Sequence, residues 1–551
     1  MKRVSRWAVW VLLWSVVGAG VAIVVRHPFP IDETRYLAVA WEMHWRDRWL
    51  LPVLEGEPYV QKPPLLFWLI RVGWLAFGVS EEWPRVVVAL FAVLALWATA
   101  ELAKRLSAQS AIPIPEEASW LAPLVLAGFV AWPAWSSALY FDVPLTACVV
   151  LGALALVRLA STGQGGVWLA LATGFGALMK GPLVAIPFVG LVALLPIWAV
   201  WHPWRLRFRL QLRAIGWGVV GALLPLAWLL AVYVTYGSDV VGEVLRAQGI
   251  GRLEEGADHA APGWWYLPVV VAMVWPMGWF GGAWRQLWRA RALPAVRFAF
   301  AAVLPSLLIL SAIAGKRAQY LLPLLPFWAL AFALGALGKW REEEAATRER
   351  CQERSLVQWG QALPLLPMLG GGLLLVVAPM IPKWRENVAW LTPRWAVVGL
   401  GLLLLFVAAW WVATWLRRVA QGGRGWQSIP HSLHPAATAI CLTWSVVLWF
   451  NATASWASDG AFNPQPIAER LSAAQAAGRP VVWVGGRHHA AWHFAARRTE
   501  PLPRIAPEAL PDWRARHPDG LALVPVSNRT LLAQYDDCLR WRSDWVCFLA
   551  H

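Results

Sequence analysis

Charged side chains are scarce in this sequence. Asp, Glu, Lys and Arg account for only 15% of the 551 residues, while 59% are hydrophobic and the mean hydropathy is +0.50. Soluble proteins carry about 25% charged residues. This composition excludes an ordinary soluble domain and indicates a membrane protein that crosses the bilayer several times.

Motifs of other common architectures are also missing. The chain contains no soluble ATPase motif, no heptad array and no internal repeat of fixed period. Gly485 and Gly486 follow a predicted strand but lack the spaced glycines of a phosphate-binding loop, so we interpret them as a turn. The 43 tryptophans suit the aromatic belts at membrane interfaces and require no nucleic-acid partner.

What the sequence does contain is a series of apolar segments, each long enough to cross a bilayer as a helix. We predict about thirteen spans and hence a mainly α-helical membrane bundle. They lie near residues 7–25, 84–103, 118–139, 142–159, 166–183, 184–201, 214–235, 264–283, 298–314, 320–338, 361–381, 395–416 and 434–455. Residues 63–79 are either a further span or an interfacial helix.

The net charge of +16 comes from Lys and Arg concentrated in alternate loops, which the positive-inside rule assigns to the cytoplasm. We therefore predict that loops 26–83 and 236–263, and everything after residue 456, lie on the opposite side. Residues 1–455 would form the transmembrane domain. Residues 456–551 have the pattern of a small soluble α/β domain, with helices near 467–479 and 488–498 and strands near 480–486 and 521–526.

This topology brings many ionisable and aromatic side chains to the non-cytoplasmic side, where they could converge on one cavity. These candidates are Asp32, Glu33, Arg35, Tyr59, Lys62, Asp142, Lys180, Arg246, Arg252, His259, Lys316, Arg317 and Tyr320. Cations from three separate loops indicate an anion site, most simply for a phosphate.

Each candidate also has an ordinary structural explanation. Asp32 and Glu33 could be solvated acids that pair with nearby arginines, and Asp142 could only cap the helix that begins there. The charged, Gly-rich loop 236–263 is either a lid or a mobile connector. Cys538 and Cys547, on the non-cytoplasmic side, either form a disulfide or remain thiols.

Ordered motifs give a more specific interpretation. The chain contains, in this order, DETRYLAVAWEM, GEPYVQKPPLLFWLI, FDVPLT, ALMKGP, DHAAPGWWYLP and GKRAQYLLPLLP. In order and topology these motifs resemble the GT-C membrane glycosyltransferases. The similarity is greatest to the branch that contains the lipid A 4-amino-4-deoxy-L-arabinose transferase and its protein O-mannosyltransferase-like relatives, and it covers residues 1–340.

The resemblance implies that a sugar passes from a polyprenyl-phosphate donor to a lipid or protein acceptor at the periplasmic face of the bacterial inner membrane. The family's essential acid in the first loop corresponds to Asp32, and its second acid, at the start of a span, to Asp142. Lys62 would bind the donor phosphate, and Arg35, Arg246, Arg252 and Lys316 supply further cations. Side chains that would line the substrate site are Tyr59, Gln61, His259 and Tyr320.

Close relatives often carry Glu in place of Gln61, and that Glu can share a metal with the loop histidine. Because an amide is a poorer metal ligand than a carboxylate, we predict no metal. We also predict no cofactor and a monomeric enzyme. Two alternatives stay open, a protein O-glycosyltransferase and a lipid or sugar transporter or flippase. A transporter would place charges near the bilayer midplane and show repeated halves.

Overall fold

The computed structural model describes residues 2–109, 119–249, 260–279, 281–346 and 460–550, together with scattered positions between 369 and 451. Within these residues, six helical segments are long and apolar enough to cross a membrane. They are Trp83–Ala108, Asp142–Thr162, Gly166–Ala193, Trp204–Tyr236, Pro294–Ala312 and Ala318–Gly335.

The first half of the chain is almost entirely helical. Its α-helices are α1 (Lys2–Val25), α2 (Asp32–Trp45), α3 (Leu65–Phe77), α4 (Trp83–Ala108), α5 (Leu121–Gly128), α6 (Ala131–Ser136), α7 (Asp142–Thr162), α8 (Gly166–Lys180), α9 (Ala185–Ala193), α10 (Leu195–Trp198), α11 (Trp204–Tyr236) and α12 (Ser238–Gln248). Between α2 and α3, a short antiparallel hairpin pairs β1 (Val53–Leu54) with β2 (Glu57–Pro58).

Four more helices complete the described membrane region. They are α13 (Tyr266–Met273), α14 (Gly281–Arg289), α15 (Pro294–Ala312) and α16 (Leu325–Ala346). Short 3₁₀ helices occur at Gly181–Val184, Gly263–Trp265, Met277–Trp279 and Ala318–Leu324.

Burial separates a central helix from a peripheral one. In α7, 89% of the apolar window is buried inside the protein, whereas in α11 the share is only 17%. The helix α8 lies between them and approaches α11 closely, because a side chain at Gly174 would meet the Gly221 carbonyl oxygen at 2.6 Å. Small residues at such crossings let membrane helices pack backbone to backbone. We conclude that α7 lies in the core of the helix bundle and that α11 lies at its periphery.

The predicted spans correspond to the described helices to different degrees. Segments 84–103, 142–159, 214–235, 298–314 and 320–338 each fall on one candidate span. Segments 166–183 and 184–201, predicted as two spans, lie on one apolar stretch, Gly166–Ala193, which divides into α8 and α9 at Gly181, where φ is 69°. The segments 361–381, 395–416 and 434–455 lie largely outside the described residues.

Two predicted spans are interrupted. Segment 118–139 consists of α5 and α6, which are separated at Phe129, where the backbone is extended. Segment 264–283 contains α13, which ends at Met273 just before Pro276. A proline lacks the N–H that a continuing helix needs and crowds the preceding turn. Local backbone chemistry therefore divides runs whose composition alone suggests one span.

The loop after α1 is more ordered than its sequence suggests. The DETRY motif forms the first turn of α2, and Tyr36, Leu37, Ala40 and Met43 of that helix are buried. Ala38 and Val39 are buried as well, so the middle of this helix is enclosed on all sides. The first half of the aromatic, charged stretch 41–50, whose sequence suggests a helix lying in the interface, instead belongs to this packed helix, which ends at Trp45.

Residues 460–550 contain a five-stranded sheet. Its strands are β3 (Val481–Val484), β4 (Arg504–Ile505), β5 (Leu521–Val526), β6 (Cys538–Trp541) and β7 (Asp544–Leu549), in the order β4-β3-β5-β7-β6. The strand β3 is parallel to β4 and β5, and β7 is antiparallel to β5 and β6. The helices are α17 (Gln465–Ala476) and α18 (Leu510–Arg516), with 3₁₀ turns at Pro507–Ala509 and Arg529–Gln534.

The secondary structure of residues 460–550 matches the predicted helices and strands except in one segment. Strands occur near 480–486 and 521–526, and a helix occurs near 467–479, as the pattern predicts. The predicted helix near 488–498 is wrong, because this segment forms successive turns. His489, Ala490 and Arg497 have left-handed backbone angles, with φ of 54°, 52° and 51°. A right-handed helix cannot pass through such residues.

Candidate active site

Two carboxylates begin two helices of the membrane region. Asp32 is the first residue of α2 and Asp142 is the first residue of α7. A helix N-terminus favours negative charge in its first turn. The same local preference therefore positions both acids that the sequence singles out.

Asp32 lies between two arginines. Arg35, one turn further along α2, donates to Oδ1 of Asp32. Arg317 brings Nη1 to 3.6 Å from Oδ2, and its side chain is 37% exposed. One carboxylate oxygen thus faces each guanidinium group. A negatively charged substrate could approach Arg317 from solvent while Asp32 stays in place.

Tyrosines and a lysine surround this ion-pair group. Burial raises the pKa of Tyr59 to about 12, against the opposing charges of Arg35 and Arg317. The phenol is therefore neutral near pH 7. Lys62 places Nζ 6.0 Å from the centre of the Tyr36 ring, so the cation before the double proline stands next to the same helix turn.

Asp142 has a partner of its own. Lys180, the last residue of α8, binds Oδ1 of Asp142, and both side chains are only 4% exposed. The Lys180 ammonium lies 4.9 Å from the ring centre of Tyr320. Asp142 and Tyr320 also line a small cleft whose other walls are Leu145, Leu183, Ile186, Pro187, Leu310, Pro323 and Leu324. Asp142 and Tyr320 give the cleft its polar groups, and its other walls are apolar.

The two acids belong to one electrostatic neighbourhood. Burial raises the pKa of Tyr36 well above its ordinary value, and the charges of Asp32 and Asp142 add to that increase. The pKa of Tyr140 is raised by burial and by Glu33, Asp32 and Asp142. Both acids act on the same two phenols, so Asp32 and Asp142 lie in one region of the structure.

Glu33 has a structural position rather than a solvated one. Its side chain is fully buried and accepts from Nη1 of Arg26 at 2.5 Å, from the Phe29 N–H at 2.8 Å and from the Leu139 N–H at 2.5 Å. Burial would raise its pKa, but Arg26, Arg85 and the Leu139 N–H together lower it. Glu33 therefore ties the start of α2 to the segment that precedes Asp142.

The remaining predicted cations differ in their surroundings. Lys316 is 6% exposed and its Nζ donates to the Ile313 carbonyl at 2.6 Å, so its neighbour Arg317 is the cation beside Asp32. Arg246 is exposed on α12, where its Nε contacts the Gly242 carbonyl at 3.4 Å. Gln248, at the end of α12, donates to the Val60 carbonyl at 3.3 Å, next to Gln61. Arg252 and His259 lie outside the described residues.

The C-terminal region contributes a residue that sequence reasoning missed. Burial and the charges of Arg35, Arg487 and Arg542 lower the pKa of His489, while Asp32 opposes them. His489 therefore stands within the field of the Asp32 group. The adjacent histidines at 488 and 489 are a visible signal in the sequence, but the helix predicted there gives no reason to expect His489 near the Asp32 group.

Both the sequence and the fold are similar to those of known proteins. Residues 61–232 match a family model described as dolichyl-phosphate-mannose-protein mannosyltransferase. Over 336 residues the chain is 30% identical to the undecaprenyl phosphate-alpha-4-amino-4-deoxy-L-arabinose arabinosyl transferase of Edwardsiella ictaluri, covering 59% of this chain and 58% of that protein. The enzyme of the same name from Pseudomonas paraeruginosa is 29% identical over 399 residues, covering 69% and 65%. The chain thus spans somewhat more than half the length of these curated relatives.

The fold extends the similarity to nearly the whole chain. The crystal structure of ArnT from Cupriavidus metallidurans bound to undecaprenyl phosphate superposes with a TM-score of 0.72 and 19% identity, covering 99% of this chain and 98% of that one. The protein therefore has the GT-C fold of membrane glycosyltransferases. Its sequence relatives are the 4-amino-4-deoxy-L-arabinose transferases, which confirms the resemblance seen in the motifs.

Proposed function

We propose that this protein is an integral membrane glycosyltransferase that moves a sugar from a polyprenyl-phosphate donor to a lipid acceptor of the lipid A type. The observation that carries the proposal is the group around Asp32. There a carboxylate at a helix start lies between Arg35 and the partly exposed Arg317, with Lys62 and Tyr59 close by. The names of the relatives support the donor class and the transfer reaction.

Asp32 is the proposed catalytic residue. Its carboxylate accepts the proton of the acceptor hydroxyl as the hydroxyl oxygen bonds to the anomeric carbon of the sugar. In the same step the bond between that carbon and the phosphate oxygen breaks, and polyprenyl phosphate leaves with the bonding electrons. A single displacement of this kind inverts the anomeric centre. General base catalysis by a positioned carboxylate contributes typically about 10²- to 10⁴-fold in rate.

The proposed role of the cations is to stabilise the leaving group. A polyprenyl phosphate dianion departs readily only if fixed positive charges meet its growing charge. Arg317 and Lys62 are the proposed first contacts, and Arg35 holds Asp32 in position. Arg246 and Arg252 remain proposed contributors, and Lys316, whose ammonium is held by the Ile313 carbonyl, is proposed as a minor one. Tyr59, Gln61, His259 and Tyr320 remain proposed lining residues. The roles of Arg252 and His259 are assigned by position in the sequence motifs alone.

Asp142 acts through Lys180 in this scheme. The ion pair holds the lysine ammonium beside Tyr320, which lines the cleft together with Asp142. The apolar walls of the cleft suit an isoprenoid chain, and the lysine charge at its edge suits the phosphate joined to that chain. Asp142 is thus proposed as a positioning residue rather than as a base.

We further propose the bacterial inner membrane as the location, with the catalytic group and residues 456–551 on the periplasmic side and residues 1–455 as the transmembrane domain. The Lys- and Arg-rich loops support this orientation. A monomer is sufficient, because the cations and both acids come from one chain. A protein acceptor is the alternative within the same chemistry.

The test is sugar transfer by the purified full-length protein in liposomes. The donor is radiolabelled undecaprenyl-phosphate 4-amino-4-deoxy-L-arabinose, and the acceptors, assayed separately, are lipid A and a membrane protein fraction. We expect label on lipid A and a loss of about 100-fold or more in Asp32→Asn. The matched control, Asp519→Asn, removes an exposed carboxylate of the C-terminal region and should retain the wild-type rate.

Three outcomes would overturn the proposal or part of it. A wild-type rate in folded Asp32→Asn would remove the catalytic assignment. Label found on protein instead of lipid A would replace the acceptor class. Label that crosses the bilayer without becoming attached to any acceptor would favour a transporter.

A further inference from the structure

A group of potential metal ligands lies outside the site described above. It consists of Glu55, in the turn of the β1–β2 hairpin, and of His488 and His493, in the turns that follow β3. Among the described residues these three side chains each offer one ligand atom, and the atoms all lie within 4.8 Å of one another. The group therefore joins the first loop of the membrane region to the C-terminal sheet.

The distances within the group suit a tetrahedral metal ion. Nε2 of His488 lies 3.3 Å from Oε1 of Glu55, and Nε2 of His493 lies 3.4 Å from the same oxygen. Zinc bonds to nitrogen and oxygen are about 2.0 to 2.2 Å long, so ligand atoms at tetrahedral angles are about 3.3 to 3.5 Å apart. Two of the three distances between ligand atoms that a zinc site requires are therefore already present.

His493 is the most unusual member. Its side chain is only 7% exposed, yet neither ring nitrogen completes a hydrogen bond of ordinary geometry. Buried polar atoms in folded proteins nearly always have a partner, and an exception calls for an explanation such as an ion. Its ring lies parallel to that of His488, with centres 5.7 Å apart and planes 6° apart. Both imidazoles thus face the same carboxylate.

The backbone at Glu55 has a strained conformation. Glu55 has a φ of 57° and is followed by Gly56 with a φ of 87°, so a glutamate occupies a left-handed turn position that favours Asn, Asp or Gly. The Glu42 carboxylate accepts from both N–H groups of this turn, at 2.5 and 2.8 Å. Strained residues that the surroundings hold in place occur preferentially at functional sites.

We propose that Glu55, His488 and His493 bind a divalent first-row metal ion, with Zn²⁺ as the best match. Two imidazoles and one carboxylate form a known zinc ligand set, and a water completes the tetrahedron. Space for that water exists in a small cavity lined by Glu55, His493, Arg498, Thr499 and Glu500. The ion fastens the C-terminal region onto the first loop.

Metal binding requires a tautomer change in His488. Without metal, its Nδ1 accepts from the Ala490 N–H at 3.1 Å, while Nε2 lies 3.1 Å from the Leu502 carbonyl, to which it donates. On binding, the metal takes the lone pair of Nε2 and the proton resides on Nδ1. Two hydrogen bonds are thus exchanged for one metal–nitrogen bond. Arg498 and Arg504 act on Glu55 electrostatically and oppose a dication, so ligand geometry must supply the affinity.

The experiment measures metal content, which is independent of the transferase assay. Full-length protein, with any affinity tag removed, is stripped with a chelator, dialysed against Zn²⁺ and analysed for metal per chain. We expect one equivalent in the wild type and none above background in Glu55→Gln, His488→Gln and His493→Gln. The matched control, His517→Gln, changes a histidine of the same region whose ring packs against Trp513 at an angle of 40°, and it should keep the metal.

A second measurement uses only the wild-type protein, so it does not depend on variant folding. Co²⁺ substitution should give the visible absorption of a tetrahedral site, and X-ray absorption should detect two imidazoles and no sulfur. A wild type without stoichiometric metal, variants that retain it, or a coordination shell without imidazole would each overturn the proposal.

Discussion

Asp142 at the start of α7 and Lys180 at the end of α8 form an ion pair in which each side chain is 4% exposed. The pair joins the most buried candidate span to its neighbour. Removal of one member of such a pair leaves an uncompensated buried charge, whereas replacement of both members costs much less.

The first prediction concerns this pair. Lys180→Met should destabilise the protein by about 3 to 5 kcal/mol, because Asp142 would then lack its partner. Asp142→Asn should do the same, and the double variant should recover at least half of the loss. The free energy of unfolding of the wild type, the two single variants and the double variant is measured by denaturation in mixed micelles. Strictly additive losses would show that the two residues do not interact.

The second prediction concerns pH. Although burial alone would raise the pKa of Glu33, Arg26, Arg85 and the Leu139 N–H bring it below its ordinary value of 4.5. A carboxyl group with a lowered pKa in the folded state stabilises the fold above the unfolded pKa. That stabilisation is lost as the pH falls through the lower, folded pKa. We therefore expect stability to decline below about pH 4.5.

The Glu33→Gln variant separates the contribution of Glu33 to the pH dependence of stability from the contributions of other acids. The variant should be less stable at pH 7 and should depend less on pH below 4.5. The comparison is Glu101→Gln, in which the altered acid is paired with Arg105 on the surface of α4 and is 27% exposed. Unfolding measured from pH 3 to pH 7 gives both curves. Parallel curves for Glu33→Gln and the wild type would contradict the prediction.

The third prediction contrasts two adjacent cations. Arg317 contacts Asp32, whereas the Lys316 ammonium is held by the Ile313 carbonyl. Arg317→Ala should lower kcat/KM by about 100-fold, the order found when one preorganised transition-state donor is removed. Arg317→Lys should recover part of the loss, since charge remains without the fork geometry. Lys316→Ala should affect stability more than rate. A larger loss of rate in Lys316→Ala would reverse the assignment of these two residues.

The fourth prediction concerns the disulfide between Cys538 and Cys547, which joins β6 to β7. Closure of a short loop stabilises a fold by about 2 to 3 kcal/mol. Replacement of both cysteines by serine should therefore speed amide hydrogen exchange in β6 and β7. Exchange in α7 should not change and serves as the internal reference. Unchanged exchange in both strands would mean that the bond adds no stability.

Features determined by local chemistry were predictable from the sequence. Apolar length and polar ends suffice to locate α4 and α7, and the alternation of basic loops suffices to group Asp32 with Asp142. The interruption before Pro276 shows the limit of composition, because a single residue ends a helix within an apolar run.

Contacts between distant parts of the chain were not predictable. Nothing near Glu55 in the sequence indicates that it faces His488 and His493. The left-handed residues His489 and Ala490 were also hidden, since their side chains suit a helix as well as a turn. Both features depend on how the C-terminal region packs on the first loop, and that packing leaves no periodic pattern.

One hydrogen bond has a consequence for biosynthesis. The Trp41 indole donates to the Arg498 carbonyl at 2.8 Å, across 457 positions of the chain. The ribosome synthesises Trp41 long before Arg498. The first loop therefore lacks this contact while every span between the two residues is synthesised and inserted. The catalytic group beside that loop thus acquires its final surroundings only when the last segment arrives, which delays full assembly until the chain is in the membrane.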